Sequence, residues 1–218
     1  MAESDDRTNV EGGPRAWFAA ASQGYLAAIS AIRREQLDSI VLGEWTLRDL
    51  LGHTSRAYLM IEAYVDAATD AHGDDVTVQS AAEYYRLVVA APSATSASVA
   101  QRGRDAGAAL GDAPAAVTQA IAARLGPIVD ATADGLVVTT PFGTMRFLDY
   151  LETRAFELTV HGLDVVRATG SEVPMPLAEA FPAALGLLGE IATSAQRGVL
   201  LAAATGRDPL PAGFAIVS

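Results

Sequence analysis

The chain has 218 residues, of which 50% are hydrophobic and 6% aromatic; none is cysteine, and the formal net charge is −11. Much of the hydrophobic fraction is alanine, which favours helices, whereas β-rich folds need more branched and aromatic side chains. The acidic balance and the dispersed arginines argue against nucleic acid, since a phosphate-binding surface needs clustered basic groups. Without cysteine, disulfides and thiolate ligands are excluded. We therefore expect an all-α protein whose metal ligands, if any, are histidine, carboxylate or water.

The N-terminal segment does not resemble a secretory signal. Residues 1–13 are polar and acidic, lack the basic-then-apolar order of such a signal, and are predicted to be a disordered leader. The most apolar long stretch, residues 176–205, contains Glu179, Glu190 and Arg197, and charges at these positions argue against a membrane-spanning helix. The expected location is the cytoplasm, with no membrane partner.

Two helices are predicted in the first third of the chain. Apolar side chains at spacings of three and four predict a helix over residues 14–36, with Pro14 in its first turn. Thr46 is a good N-cap for the second helix, and the side chain of Asp49 can form the reciprocal hydrogen bond in a variant of the capping box. This helix is expected to end before the turn at residues 71–75.

The middle of the chain has weaker patterns. Helices are expected over residues 78–91, 99–110 and 114–125, in alanine-rich sequence that does not define their ends. Residues 135–140 form a strand-like run. Because one short strand cannot make a sheet, this run is either an extended connector or half of a small hairpin with residues 145–147.

Two further helices are predicted in the last third. The helix over residues 147–169 is closed by Gly170, which is well placed as its C-terminal cap. A last helix over residues 177–205 ends at Gly206. The short apolar tail after it is expected to pack back on the other helices.

The helix over residues 147–169 carries a polar stripe that falls within roughly 80° of its circumference. One interpretation is a solvated face. However, apolar residues cover the opposite face and both flanks, and a helix that is apolar nearly all round is generally buried, so polar groups on it must be paired or bound. The stripe is formed by Arg154, Glu157, His161 and Asp164.

Glu157 and His161 are four residues apart, which places a carboxylate and an imidazole side by side as one metal ion requires. The alternative for these two residues is a plain ion pair. The chain has three histidines. His72 lies in a predicted exposed turn, whereas His53 lies on the apolar face of the second helix, where it is either a hydrogen-bonded core residue or a third ligand.

Two segments resemble the signatures of a known family. Residues 45–53 (WTLRDLLGH) and 153–168 (TRAFELTVHGLDVVRA) are similar to those of the mycothiol-dependent maleylpyruvate isomerase N-terminal domain, and residues 205–214 resemble the tail of many members. This family belongs to the DinB-like superfamily of metal-binding four-helix bundles. The resemblance implies one such domain over residues 14–218, with a short extended or hairpin insertion, and with residues 171–218 as an extra C-terminal helix and tail.

The resemblance also implies a ligand set. In the family, the residues matching His53, Glu157 and His161 bind one divalent metal, usually zinc; nickel or iron also suit these ligand types. Three protein ligands leave a coordination position open for the thiol of mycothiol or for water. Asp164 could accept the free ring N–H of His161 or pair with an arginine. Arg154 could orient Glu157 or balance its charge.

The function implied is that of a metal-dependent, mycothiol-using transferase or isomerase acting on a small electrophile. The family's isomerase carries a separate C-terminal α/β domain, whereas residues 171–218 are expected to form a helix and tail here, so the electrophile is left open. Two other functions remain: a hydrolase in which the metal activates water, and a metal-binding bundle without turnover. A homodimer through the last helix and tail is also predicted.

Overall fold

Helices dominate the computed structural model, which describes residues 12–68, 76–91 and 96–217. The all-α prediction is confirmed for these residues; their strands form two small antiparallel hairpins. The helices are α1 (Gly13–Ser30), α2 (Leu47–Asp66), α3 (Ala81–Ala90), α4 (Ser96–Ala109), α5 (Pro114–Ala131), α6 (Phe147–Thr169), α7 (Met175–Glu179), α8 (Phe181–Ile191) and α9 (Ser194–Ala204). The strands are β1 (Ile40–Leu42), β2 (Trp45–Thr46), β3 (Val137–Thr140) and β4 (Gly143–Arg146).

The start of α2 is fixed by the predicted capping box. The N–H of Asp49 donates to Thr46 Oγ1 at 3.2 Å, and the N–H of Thr46 donates to Asp49 Oδ2 at 3.0 Å. These bonds satisfy two backbone donors that the first helical turn would otherwise leave unpaired. The predicted end of the helix is also consistent, because α2 ends at Asp66. The turn at 71–75 lies outside the described residues, as do residues 1–11 of the predicted leader.

The long helix α6 packs against both α1 and α2. Gly170 closes it in the left-handed conformation, with φ of +67°, as predicted. Leu177 of α7 is fully buried between α1 and α6. A Cβ atom on Gly24 would lie 2.4 Å from the backbone nitrogen of Leu177, and one on Gly162 would lie 2.9 Å from its Cδ1. Glycine at these two positions therefore lets α7 pack closely against α1 and α6.

On its other side, α2 packs against α4 and α5. The backbones of α2 and α4 are close together at two glycines, where a Cβ atom on Gly52 would lie 2.0 Å from the backbone nitrogen of Gly107. No side chain can occupy that space, so the small residues set the separation of the two helices.

Two predicted helices are shorter or more divided than expected. The first ends at Ser30, and a 3-10 turn (Arg34–Gln36) follows, because Arg33 is extended and its N–H donates to Gln36 Oε1. The predicted last helix over residues 177–205 is divided into α7, α8 and α9. Pro176 and Pro182 each lie in the first turn of a new helix, and Thr193 is extended and caps α9 through a capping box.

Other expectations are met more closely. The run at 135–140 is half of a hairpin, since β3 pairs with β4, and α5 extends past the predicted end to Ala131. The tail packs back as predicted: Ile216 and Val217 lie against the core, and Gln196 Nε2 donates to the carbonyl oxygen of Ala215 at 3.1 Å. Among the described helices, none has the length and apolar character needed to cross a membrane.

Candidate metal centre

Two helices bring the three predicted ligands together. α2 carries His53, and α6 carries Glu157 and His161. One ligand atom from each residue lies within 4.8 Å of the others. Glu157 Oε2 is central, at 3.6 Å from His53 Nε2 and 3.3 Å from His161 Nε2. Between 14% and 23% of each side chain is exposed, so the cluster keeps some contact with solvent. The remaining histidine, His72, lies outside the described residues.

Asp164 fixes the ring of His161. Its Oδ2 lies 3.0 Å from His161 Nδ1, and its Oδ1 lies 3.9 Å from Nη1 of the exposed Arg167. When Nδ1 carries the hydrogen and donates it to Asp164, the lone pair of Nε2 is directed at the cluster, which is the tautomer that a metal ligand needs. Of the contacts that the sequence left open for Asp164, the structure shows the one with His161 and, at longer range, the pair with Arg167.

A buried tyrosine of α3 holds the other oxygen of Glu157. Tyr85 Oη lies 2.8 Å from Glu157 Oε1 and 3.0 Å from the carbonyl oxygen of Thr153, and the residue is 2% exposed. Because the hydroxyl occupies Oε1, Oε2 is left to face the two imidazoles. The sequence analysis missed Tyr85, and no spacing within α3 could have found it, since its role depends on how α3 docks on α6.

The charges around the cluster set its protonation in the absence of metal. Burial by itself lowers the pKa of His161, but its contacts with Asp164 and Glu157 outweigh burial and raise that pKa to about 9. Burial by itself would raise the pKa of Glu157, yet the two histidines and Arg154 hold it well below its ordinary value. Burial lowers the pKa of His53, and the charge of His161 adds to this effect. At neutral pH the metal-free cluster therefore combines an anionic Glu157, a protonated His161 and a neutral His53.

Arg154 lies one turn before Glu157 and influences it through its charge. Its Nε donates to Thr153 Oγ1 at 2.9 Å. Its guanidinium carbon lies 5.0 Å from the ring centroid of Tyr150 and 5.9 Å from that of Tyr84. The sequence left open whether Arg154 orients Glu157 or balances its charge. These contacts favour charge balance, because the guanidinium is held by Thr153 and by aromatic rings.

The hairpin of β1 and β2 forms a wall of the site that the sequence did not predict. It places Trp45 with its ring centroid 4.7 Å from that of His53. The rings of His53 and His161 are nearly perpendicular, at 89°, with centroids 5.0 Å apart. Trp45 therefore packs against the imidazole of a candidate ligand, and this contact limits the rotation of the His53 ring.

The donor set fits a divalent metal. In a tetrahedral zinc site with bonds of about 2.1 Å, neighbouring ligand atoms are about 3.4 Å apart. The two separations between Nε2 and Oε2, 3.3 and 3.6 Å, lie on either side of that value. Two imidazoles and one carboxylate suit zinc, and by ligand type also nickel or ferrous iron.

Comparison with known protein families identifies the family to which the residues of the site belong. The family profile of the mycothiol maleylpyruvate isomerase N-terminal domain matches residues 18–166. The chain belongs to this family. The part matched to the mycothiol maleylpyruvate isomerase N-terminal domain runs from α1 into α6 and contains the whole His53–Glu157–His161 cluster. The helical fold is consistent with a DinB-like bundle. No curated protein and no solved structure matches the chain.

Proposed function

We propose that this protein is a metal-dependent enzyme that uses mycothiol as a cosubstrate and transfers or isomerises a small electrophile. The observation that carries the proposal is the convergence of His53, Glu157 and His161, from two helices, within 4.8 Å. The family to which the chain belongs is named for a mycothiol-dependent isomerase, and this supports mycothiol as the thiol cosubstrate. Three protein ligands leave at least one coordination position for a thiol or water, which is typical of catalytic rather than structural sites.

Each residue of the cluster has a distinct task in this proposal. His53 and His161 would hold the metal through Nε2, and Glu157 through Oε2. Asp164 keeps His161 in the required tautomer, and Tyr85 keeps Oε1 of Glu157 turned away from the imidazoles. When bound there, a divalent metal supplies a Lewis acid that lowers the pKa of a thiol or water and so provides a nucleophile near neutral pH. Zinc is the metal we favour.

The proposal leaves the electrophile open and includes a cytoplasmic location, where low-molecular-weight thiols are found. The homodimer through α9 and the tail remains a prediction. Light scattering of the purified protein tests it directly, since a dimer would have twice the mass of the 22.6 kDa chain.

The first test is elemental analysis of protein purified without a histidine tag. We expect about one equivalent of zinc or nickel in the wild type and in the control His72→Ala, and almost none in His53→Ala and Glu157→Ala. Circular dichroism should show the same helix content in all four proteins. A wild type that takes up no metal even after reconstitution would overturn the proposal.

The second test separates the three functions. Metal-loaded protein is incubated with a panel of electrophiles, with and without mycothiol, and both the thiol and the electrophile are quantified. Conversion that requires mycothiol and metal together supports the proposed enzyme. Conversion without any thiol identifies a metal-dependent hydrolase. If neither reactant is consumed while metal raises the melting temperature, the protein is a metal-binding bundle without turnover.

A further inference from the structure

The hydroxyl of Tyr85 has one hydrogen and two acceptors within reach. Its Oη lies 2.8 Å from Glu157 Oε1 and 3.0 Å from the carbonyl oxygen of Thr153. A carboxylate accepts a shorter and stronger hydrogen bond than a neutral carbonyl oxygen does, and the two distances follow that order. Oε1 of Glu157 is therefore held by a donor of the protein, whereas Oε2 faces His53 and His161.

The position of this hydroxyl is fixed by the packing of α3. The ring of Tyr85 makes edge-to-face contacts with Phe156 of α6 and with Tyr84, at centroid distances of 5.1 and 5.7 Å. α3 itself packs against α6 and α8. At the next residue, Arg86 Nη2 donates at 2.6 Å to the carbonyl oxygen of Glu190, in the last turn of α8, where backbone acceptors have no partner within the helix. The hydroxyl is therefore held in place by two neighbouring helices rather than by Glu157 alone.

This contact decides how Glu157 can bind a metal. A carboxylate coordinates through one oxygen or through both. Coordination through both would draw Oε1 away from Tyr85 and break a hydrogen bond of the stronger, charge-assisted kind. Coordination through Oε2 alone keeps that bond, and Oε2 already lies 3.3 and 3.6 Å from the two imidazole nitrogens. The arrangement therefore favours a single metal-binding oxygen from Glu157.

We propose that Tyr85 restricts Glu157 to one metal-binding oxygen and thereby makes the centre select metals that accept four ligands, such as zinc, over metals that need six, such as manganese. The inference rests on the proposed function, because it specifies the metal of that same centre. Three protein atoms fill three of the four positions around zinc and leave one for a thiol or water. A metal that needs six ligands gains only half of them from the protein. Tyr85 acts through Glu157 and is a positioning residue.

The first measurement is the ratio of zinc affinity to manganese affinity. Both affinities are determined by competition with a chelator, for wild type, Tyr85→Phe and Tyr25→Phe. Loss of the Tyr85 hydroxyl frees Oε1 as a second metal ligand, so the ratio should fall by about tenfold or more, the scale of effects from partners of metal ligands. Tyr25→Phe should keep the wild-type ratio, because Tyr25 is equally buried but lies in α1 and makes no contact with Glu157. Equal losses of both affinities in Tyr85→Phe would overturn the inference.

The second measurement reads the coordination number and starts from wild type. Cobalt(II) replaces zinc, and its visible absorption is much stronger with four ligands than with six. Wild type and Tyr25→Phe should show the strong four-ligand band, and Tyr85→Phe a band weakened several-fold at saturating cobalt, with equal helix content by circular dichroism. Identical spectra in wild type and Tyr85→Phe, as a merely structural tyrosine would give, contradict the inference. A six-ligand spectrum in wild type contradicts it even where Tyr85→Phe does not fold.

The outcomes also separate this inference from the proposed function. A four-ligand spectrum in wild type and a weaker band in Tyr85→Phe support the role of the tyrosine even if no electrophile is converted; the proposed enzyme then fails and the inference stands. Conversion that requires mycothiol and metal, together with a six-ligand spectrum, leaves the function standing while the inference fails. Protein that takes up neither zinc nor cobalt overturns both.

Discussion

The helices α6 and α9 are both rich in apolar residues but differ in how much of their surface is buried. α6 is buried over much of its surface, yet it carries Glu157 and Asp164, each in contact with His161 of the same helix. α9, with the sequence SAQRGVLLAAA, has no buried residue, and its Leu201 is 67% exposed. Apolar composition alone therefore does not report burial. Polar residues that a buried helix retains are the more informative signal, because each needs a partner or a ligand to offset its desolvation.

The largest predicted effect comes from Gly52 of α2, which lies one residue before His53. Gly52→Ala would place a Cβ atom 2.0 Å from the backbone nitrogen of Gly107, and backbone cannot move aside as a side chain can. The two helices must separate, which should lower the free energy of unfolding by about 3 kcal/mol. Urea denaturation followed by circular dichroism measures the change. An unaltered midpoint would show that α2 and α4 do not approach each other as described.

The next prediction concerns a single hydroxyl beside the cluster. Tyr85→Phe removes the group that holds Glu157 Oε1 and should weaken metal affinity by about 10- to 100-fold, the range for partners of metal ligands. Competition with a zinc chelator measures the affinity. Tyr25→Phe is the matched control, because it removes a hydroxyl from a residue of α1 that is equally buried and makes no contact with His53, Glu157 or His161. Equal zinc affinities in the two variants would show that the Tyr85 hydroxyl does not contribute to metal binding.

The contacts that the sequence anticipated within single helices follow from local spacing. The cap of α2 joins Thr46 and Asp49, three residues apart, and the stripe on α6 joins residues three and four apart, so one helical turn fixes both. Tyr85 and the contact of Gly52 with Gly107 depend on how separate helices dock, and spacing along one helix contains no such information.

The division of the last predicted helix differs from these cases because its signal was present in the sequence. Pro176 and Pro182 lie within the apolar stretch, and proline favours the first turn of a helix and disfavours its interior. The apolar continuity of residues 177–205 was given more weight than these prolines. The hairpin before α2 was also missed, since β2 has only two residues, Trp45 and Thr46, too few for an alternating pattern.

The charges on α6 predict how many protons accompany metal binding. Because the pKa of His161 is raised to about 9, the metal-free protein holds a proton on that imidazole at pH 7.5 and releases it when Nε2 becomes a ligand. We expect the number of protons released per zinc to be larger by about one at pH 7.5 than above pH 10, where the metal-free imidazole has already lost its proton, so affinity rises with pH up to about pH 9. Calorimetry in two buffers of different ionisation enthalpy counts the protons.

Asp164→Asn is the control for this prediction. The hydrogen bond with Asp164 is the largest contribution that opposes burial and raises the pKa of His161. Its loss should lower that pKa, so fewer protons are released at pH 7.5. The same count in wild type and variant would contradict the assigned protonation.

The smallest predicted effect completes the comparison of the two glycines. Gly198 lies within α9, and a Cβ atom at this position would have no neighbour within 4 Å among the described residues. Gly198→Ala should therefore raise the free energy of unfolding by about 0.5–1 kcal/mol, since alanine restricts the unfolded chain and favours the helix. The measurement is the same urea titration that tests Gly52→Ala. A loss of stability would mean that another surface covers this face of α9 in solution, and a loss that deepens with protein concentration would identify that surface as a second copy of the chain.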